Sequence, residues 1–130
     1  MNTLEKIYNK AMKQFGILSL KETQSIVKKK FGNIANEIPD EQLYKVSTKF
    51  TWITNLSFID NITNLIRHNI YEYVGLKYGI INKNYKLDFV DESGAYLISP
   101  EDYTKATSKT ISFGGEDYTF TYCVPEGEVF

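Results

Sequence analysis

One cysteine, one histidine, one arginine, one tryptophan and three prolines are all that 130 residues hold of those types. Cys123 has no second cysteine for an intramolecular disulfide, which excludes the cross-linked framework of small secreted domains. Its setting, "YTFTYCVP", suits a buried thiol better than a nucleophile. His68 and Cys123 stand 55 residues apart, so carboxylates would have to complete any metal shell. No tight carboxylate cluster announces itself, and neither a metal nor another cofactor is expected. The glycine-rich patterns that cradle phosphates are missing. "SFGGEDY" offers a Gly-Gly turn followed by acids, which repel phosphate. No run approaches 18 apolar residues, so no membrane span is expected. "MNTLEKIYNKAMKQFG" lacks the apolar run of a signal peptide, and a cytoplasmic setting is the expectation.

What is present is a globular composition. Apolar residues make up 42% and aromatics 15%, with ten tyrosines and eight phenylalanines. That is too apolar for a disordered chain, and the length suits one domain, 1–130. Charge is unevenly spread. Residues 1–86 carry twelve lysines and Arg67 against seven acids, a net of +6. Residues 87–130 carry Lys105 and Lys109 against nine acids, a net of −7. Such a split fits two halves that attract each other, or a basic partner for the acidic half.

Hydrophobic spacing divides the chain into a helical part, 1–81, and a β-rich acidic part, 82–130. Leu4, Ile7, Tyr8, Ala11, Met12 and Phe15 recur at helical spacing, with Asn2 as a cap and Gly16 as a stop. "SLKE" at 19–22 has capping-box spacing and opens a helix through Leu20, Thr23, Ile26, Val27 and Phe31, ending at Gly32. A third helix is expected from Pro39, burying Leu43, Val46 and Phe50. The longest apolar stripe, through Phe58, Ile59, Ile62, Leu65, Ile66, Ile70, Tyr73 and Val74, predicts a central helix over 58–74. Ser57 and Asp60 stand at its start and Gly75 at its end. From residue 85 the period becomes two. "YKLDFV", "AYLIS", "KTISF" and "DYTFTYCV" predict two hairpins, with turns at "DESG" and "GGE". The segment "SPEDYTKA" between them suits one or two helical turns or an irregular link. The fold class is therefore α+β: about four N-terminal helices, then a small antiparallel sheet packed on the long helix 58–74.

Three functional readings follow. The leading one is a non-enzymatic protein-binding module, of inhibitor or immunity type, that engages a basic partner surface through its acidic, tyrosine-rich sheet. Its contact residues are Asp88, Asp91, Glu92, Tyr96, Glu116, Asp117 and Tyr118, since tyrosine supplies wide contact area with a polar tip. A second reading gives the lysine-rich helical half to nucleic acid, through Lys21, Lys28, Lys29, Lys30, Lys45 and Lys49 in a helix-turn-helix. Against it, a single arginine is a poor endowment for reading guanine. Lysines near a helix C-terminus are also explained by the helix dipole. The third reading is a small hydrolase or nuclease using His68. Arg67 and His68 lie off the apolar stripe and point about 100° apart on a helix, so they do not converge on one phosphate. His68 and Glu72 form an ordinary surface pair one turn apart. No catalytic residue is assigned.

Overall fold

The computed structural model describes residues 3–13, 20–46 and 50–127. The fold class is α+β: helices come first and strands follow. In chain order these are α1 (Thr3–Lys13), α2 (Leu20–Phe31), α3 (Ile34–Glu37), α4 (Asp40–Leu43), α5 (Phe58–Lys77), β1 (Lys86–Asp91), β2 (Gly94–Ile98), β3 (Lys105–Phe113) and β4 (Glu116–Val124). Internal contacts group them into two compact units, Met1–Asn69 and Ile70–Phe130, with α5 running through the boundary.

In the first unit, α1 buries Tyr8 and Met12, and α2 buries Leu20, Thr23 and Val27. The face expected for α1 is narrower than its apolar residues suggest, because Ile7 is exposed. The Tyr8 hydroxyl and Thr23 Oγ1 lie 2.8 Å apart, which satisfies both buried polar groups. The Leu20 N–H donates to Asn9 Oδ1 at 3.1 Å, so α1 supplies a cap for the start of α2. The proposed Asn2 cap, Phe15, the Gly16 stop and Ser19 lie outside the described residues. The helix expected from Pro39 is a single turn, Asp40–Leu43. It stops at Tyr44 because the apolar residues there enter the core at once: Leu43 and Tyr44 are buried, and the Tyr44 ring meets Tyr8 edge-on at 6.3 Å.

α5 starts as expected, with the Asp60 N–H donating to Ser57 Oγ at 3.1 Å. Two buried asparagines on it were not foreseen. Asn61 Oδ1 accepts from the Ile53 N–H at 2.9 Å. Its Nδ2 donates to the carbonyls of Ile53, Leu56 and Ser57. Asn69 Nδ2 donates to the Leu43 and Lys45 carbonyls, each at 2.8 Å. Side-chain amides thus hold the irregular segments 43–45 and 53–57 where no ladder can.

In the second unit, α5 continues past Gly75 to Lys77, so Gly75 is not the stop. The chain turns at Gly79, whose φ of 73° an L side chain rarely adopts. Gly75 serves close packing: a Cβ there would lie 2.6 Å from Ile81 Cγ1 and 3.1 Å from Phe120 Cε1. The sheet has the order β1-β2-β4-β3. Both hairpins form, but they join through a parallel pairing of β2 with β4, Ala95 opposite Phe120 and Tyr96 opposite Thr121. The sheet is therefore mixed, not antiparallel throughout. The link at 99–104 makes a turn, with the Tyr103 N–H donating to the Pro100 carbonyl at 3.0 Å, and contains no helix. One sheet face is buried, through Ala95, Leu97, Tyr118, Phe120, Tyr122 and Val124. The last turns of α5 lie on it: Tyr71 meets Tyr118 and Phe120 edge-on at 5.1 and 5.5 Å.

Burial pushes the phenols of Tyr44 and Tyr118 up to about 12, with Asp40 and Tyr8 adding for the first, and Glu116 and Tyr71 for the second. Burial raises Tyr8 as well, opposed by its bond to Thr23. A raised folded value means that these groups favour the fold fully below the ordinary tyrosine value of about 10 and lose that contribution as pH rises towards 12. Absorbance titration of phenolate is expected to show these three tyrosines ionising only with alkaline unfolding. Ionisation of all ten near pH 10, before any unfolding, would contradict it.

Candidate protein-docking face

The outer face of the sheet is built by a fault in β1. Leu87 pairs with Leu97, but the next pair is Phe89 with Tyr96, so Asp88 is an extra residue in a β-bulge. In a regular ladder Asp88 would oppose Tyr96, and Phe89 would turn inward opposite Ala95. The bulge reverses this. Val90 goes inward with Ala95, and Phe89 goes outward beside Tyr96. The two rings stack with centroids 4.5 Å apart and planes 14° from parallel. Phe89 remains 49% exposed and the neighbouring Ile98 on β2 is 50% exposed, an apolar cost that nothing within the described residues removes.

Beside this aromatic edge lies a floor of small polar side chains on β3 and β4. Ser108 and Thr121 hydroxyls are 3.0 Å apart, and those of Thr110 and Thr119 are 2.9 Å apart. These pairs satisfy each other and leave the floor neutral. Cys123 shares this face opposite Ala106, half-buried and free, so the thiol is less enclosed than expected.

The parallel pairing decides where the acids go. Because β2 and β4 run the same way, the turn before β2 and the turn before β4 lie at the same end of the sheet. Asp91 and Glu92 from one turn, and Glu116 and Asp117 from the other, therefore share that end, all exposed. No group of three or more His, Cys, Asp or Glu among the described residues is arranged to hold a metal ion. Asp91, Glu92 and Asp117 edge this end of the outer face, whereas Glu116 has the inward parity of Tyr118 and pairs with Phe113.

Of the residues assigned from sequence, Tyr96 lies on the outer face, Asp88 sits exposed at the bulge, Glu92 and Asp117 edge the outer face, and Glu116 falls on the inner side of β4, exposed at its start. Asp91 has a second duty. Its Oδ1 accepts from the Ser93 and Gly94 N–H groups at 2.8 and 3.1 Å and from the Ser93 hydroxyl at 2.7 Å, and so it shapes the turn. Ser93 Oγ in turn lies 3.1 Å from the Tyr96 hydroxyl, which steadies the ring. Tyr118 does not belong with the rest. It is on the inner face, 7% exposed, because the alternation of β4 turns it inward against Tyr71. Phe89 and Ile98 were missed. The two-residue period placed Phe89 with Leu87, and nothing in "KLDFVD" announces a bulge.

In the helical half, Lys21, Lys28, Lys29 and Lys30 are exposed on α2, and Lys45 is exposed after α4. Lys49 lies outside the described residues. The two helices directly after α2, α3 and α4, have four residues each, too short to serve as the recognition helix of a helix-turn-helix begun by α2. Arg67 donates to Asn64 Oδ1 at 3.2 Å, an exposed contact within the helix, and His68 is half-buried. His68→Ala is expected to change stability by less than about 1 kcal/mol and to leave function intact. Loss of biological activity in a folded His68→Ala protein would overturn the surface assignment. No described helix is long and apolar enough to cross a membrane. The chain matches no protein-family model, no curated protein and no solved structure.

Proposed function

We infer that the chain is a non-enzymatic protein-binding module, of inhibitor or immunity type, that docks a basic partner surface on the outer face of its sheet. The observation that carries this reading is the Phe89–Tyr96 stack, exposed by the Asp88 bulge and rimmed by carboxylates. Interfaces that bind tightly concentrate their energy in a few aromatic side chains and surround them with groups that exclude water. Carboxylates at the rim steer a cationic partner and discourage an anionic one. The same feature separates protein from nucleic acid. Exposed rings on a sheet can stack bases, but base-stacking sheets carry positive charge for the backbone, and this end of the sheet carries Asp91, Glu92, Glu116 and Asp117. The edges of the sheet offer less. β1 is bulged, and β3 carries Lys105 and Lys109 as exposed edge lysines, both devices that discourage strand addition.

The test begins with capture of partners from the source cell by the wild-type chain, run beside a nucleic-acid shift assay. The captured protein is then bound to Glu116→Gln/Asp117→Asn. The expected result is an almost unchanged melting temperature, with association that is slower and less sensitive to salt. A marked fall in melting temperature with unaltered association would mean that these acids serve the fold, and would remove support for the reading. A nucleic-acid shift that depends on the α2 lysines would replace it.

A further inference from the structure

A second feature of the sheet unit concerns cations directly. Tyr73 on α5 and Phe113 at the end of β3 come together at one ammonium group, and Tyr78, just beyond the end of α5, packs against Phe113. The Tyr73 and Phe113 centroids are 5.9 Å apart with planes at 53°, and those of Tyr78 and Phe113 are 6.4 Å apart with planes at 74°. The rings therefore stand as walls at steep angles to one another, not as a stack. Lys77 Nζ lies over Tyr73 and Phe113, 5.8 and 5.6 Å from their centroids. Both distances fall within the range of about 6 Å over which a ring quadrupole attracts a cation.

One turn of helix accounts for Lys77 reaching Tyr73. It does not account for Phe113, which arrives from β3, or for Tyr78, which projects after the helix has ended. The end of α5 and β3 bring two rings to one cation, with Tyr78 standing edge-on beside Phe113. Glu116 stands opposite Phe113 in the β3–β4 ladder and places a carboxylate beside the same site. Tyr78 is 46% exposed and Lys77 is exposed, so the cage opens to solvent and its occupant is held by a flexible stem. An exposed lysine gives up such a position at little cost, whereas Tyr73 and Phe113 are held by α5 and the sheet.

We propose that Tyr73, Tyr78 and Phe113 form a receptor for a cationic side chain, lysine-like or methylated, and that Lys77 occupies it until such a ligand displaces it. The ligand's source, a basic side chain of the docked partner, rests on the function proposed above. The cage itself rests on its own geometry, and the experiment keeps the two apart by using no partner.

The probe is N-acetyl-trimethyllysine amide, titrated against ring-proton resonances of Tyr73, Tyr78 and Phe113. Its neutral isostere, with carbon in place of the quaternary nitrogen, is titrated in parallel. The wild-type chain is expected to bind the cation weakly, and Lys77→Ala to bind it several-fold more tightly, because the resident ammonium no longer competes. The neutral isostere should shift neither protein. Phe113→Leu in the Lys77→Ala background should lose the binding, and Tyr73→Leu in that background provides a second wall variant should Phe113→Leu fail to fold. Equal affinity in wild type and Lys77→Ala would overturn the claim that Lys77 is the occupant. Equal binding of cation and isostere, or no binding to Lys77→Ala, would overturn the receptor. None of these results touches the Phe89–Tyr96 face.

Discussion

Phe120→Ala is expected to destabilise the protein by about 3–5 kcal/mol, the usual cost of deleting a buried aromatic ring. Phe120 is at the middle of β4, fully buried, opposite Ala95 on one side and Lys109 on the other. Its ring meets Tyr71 edge-on at 5.5 Å and passes over Gly75, where the bare backbone leaves room for it. Ala95 and Gly75 carry little or no side chain to refill the space, and the Tyr71 ring is already packed against Tyr118. The cost therefore combines lost transfer energy with a cavity that collapses poorly. Denaturant unfolding measures it. A loss below about 1 kcal/mol would mean that the inner face of the sheet is not packed as described.

Asn61→Ala comes next, at about 3 kcal/mol, although it removes no apolar contact. The Asn61 amide meets both the N–H and the carbonyl of Ile53 and also reaches the Leu56 and Ser57 carbonyls. Alanine would leave the Ile53 N–H and the Leu56 carbonyl without this partner, while the Ile53 and Ser57 carbonyls keep the N–H groups of Leu56 and of residue 61. Each buried group that loses its hydrogen bond costs about 1–3 kcal/mol. Trp52 is next to the latched segment, packed edge-on to Phe58 at 5.5 Å, and it is the only tryptophan. Its emission should shift to the red in Asn61→Ala before global unfolding, as the segment loosens. Unchanged emission together with a loss under about 1 kcal/mol would show that the latch is dispensable.

How far the sequence discloses this structure varies by element, for physical reasons. α5 was legible because a stripe over four turns is a strong signal and Ser57 marks its start. Its end was misplaced. Gly75 resembles a stop, but the requirement there is a bare helix surface for Ile81, which folds back against it, and for Phe120, which comes from 45 residues further on. Asn61 and Asn69 drew no assignment because sequence shows the amide and not the carbonyls brought to meet it. β4 was legible in its alternation, which puts Tyr118, Phe120, Tyr122 and Val124 on one face, but alternation does not say which face is inward, and Tyr118 was assigned to the docking face for that reason. The same alternation misled in β1. A bulge adds one residue to one strand only, and its sole sign is the register against β2. Phe89, which bears most on the proposed docking face, was hidden for that reason. The parallel pairing of β2 with β4 was likewise beyond local pattern, because hairpins are specified by their turns and strand order by packing.

The docking proposal makes its most direct claim about Phe89 and Tyr96. The decisive measurement is the affinity of Phe89→Ala/Tyr96→Ala for a protein captured by the wild-type chain, taken together with the melting temperatures of both. Each ring is on the outer face, so the fold should lose little, within about 1 kcal/mol. Binding should weaken by at least about 30-fold, equivalent to about 2 kcal/mol, and mainly through faster dissociation. An affinity within about twofold of wild type, in a variant that melts normally, would contradict the account.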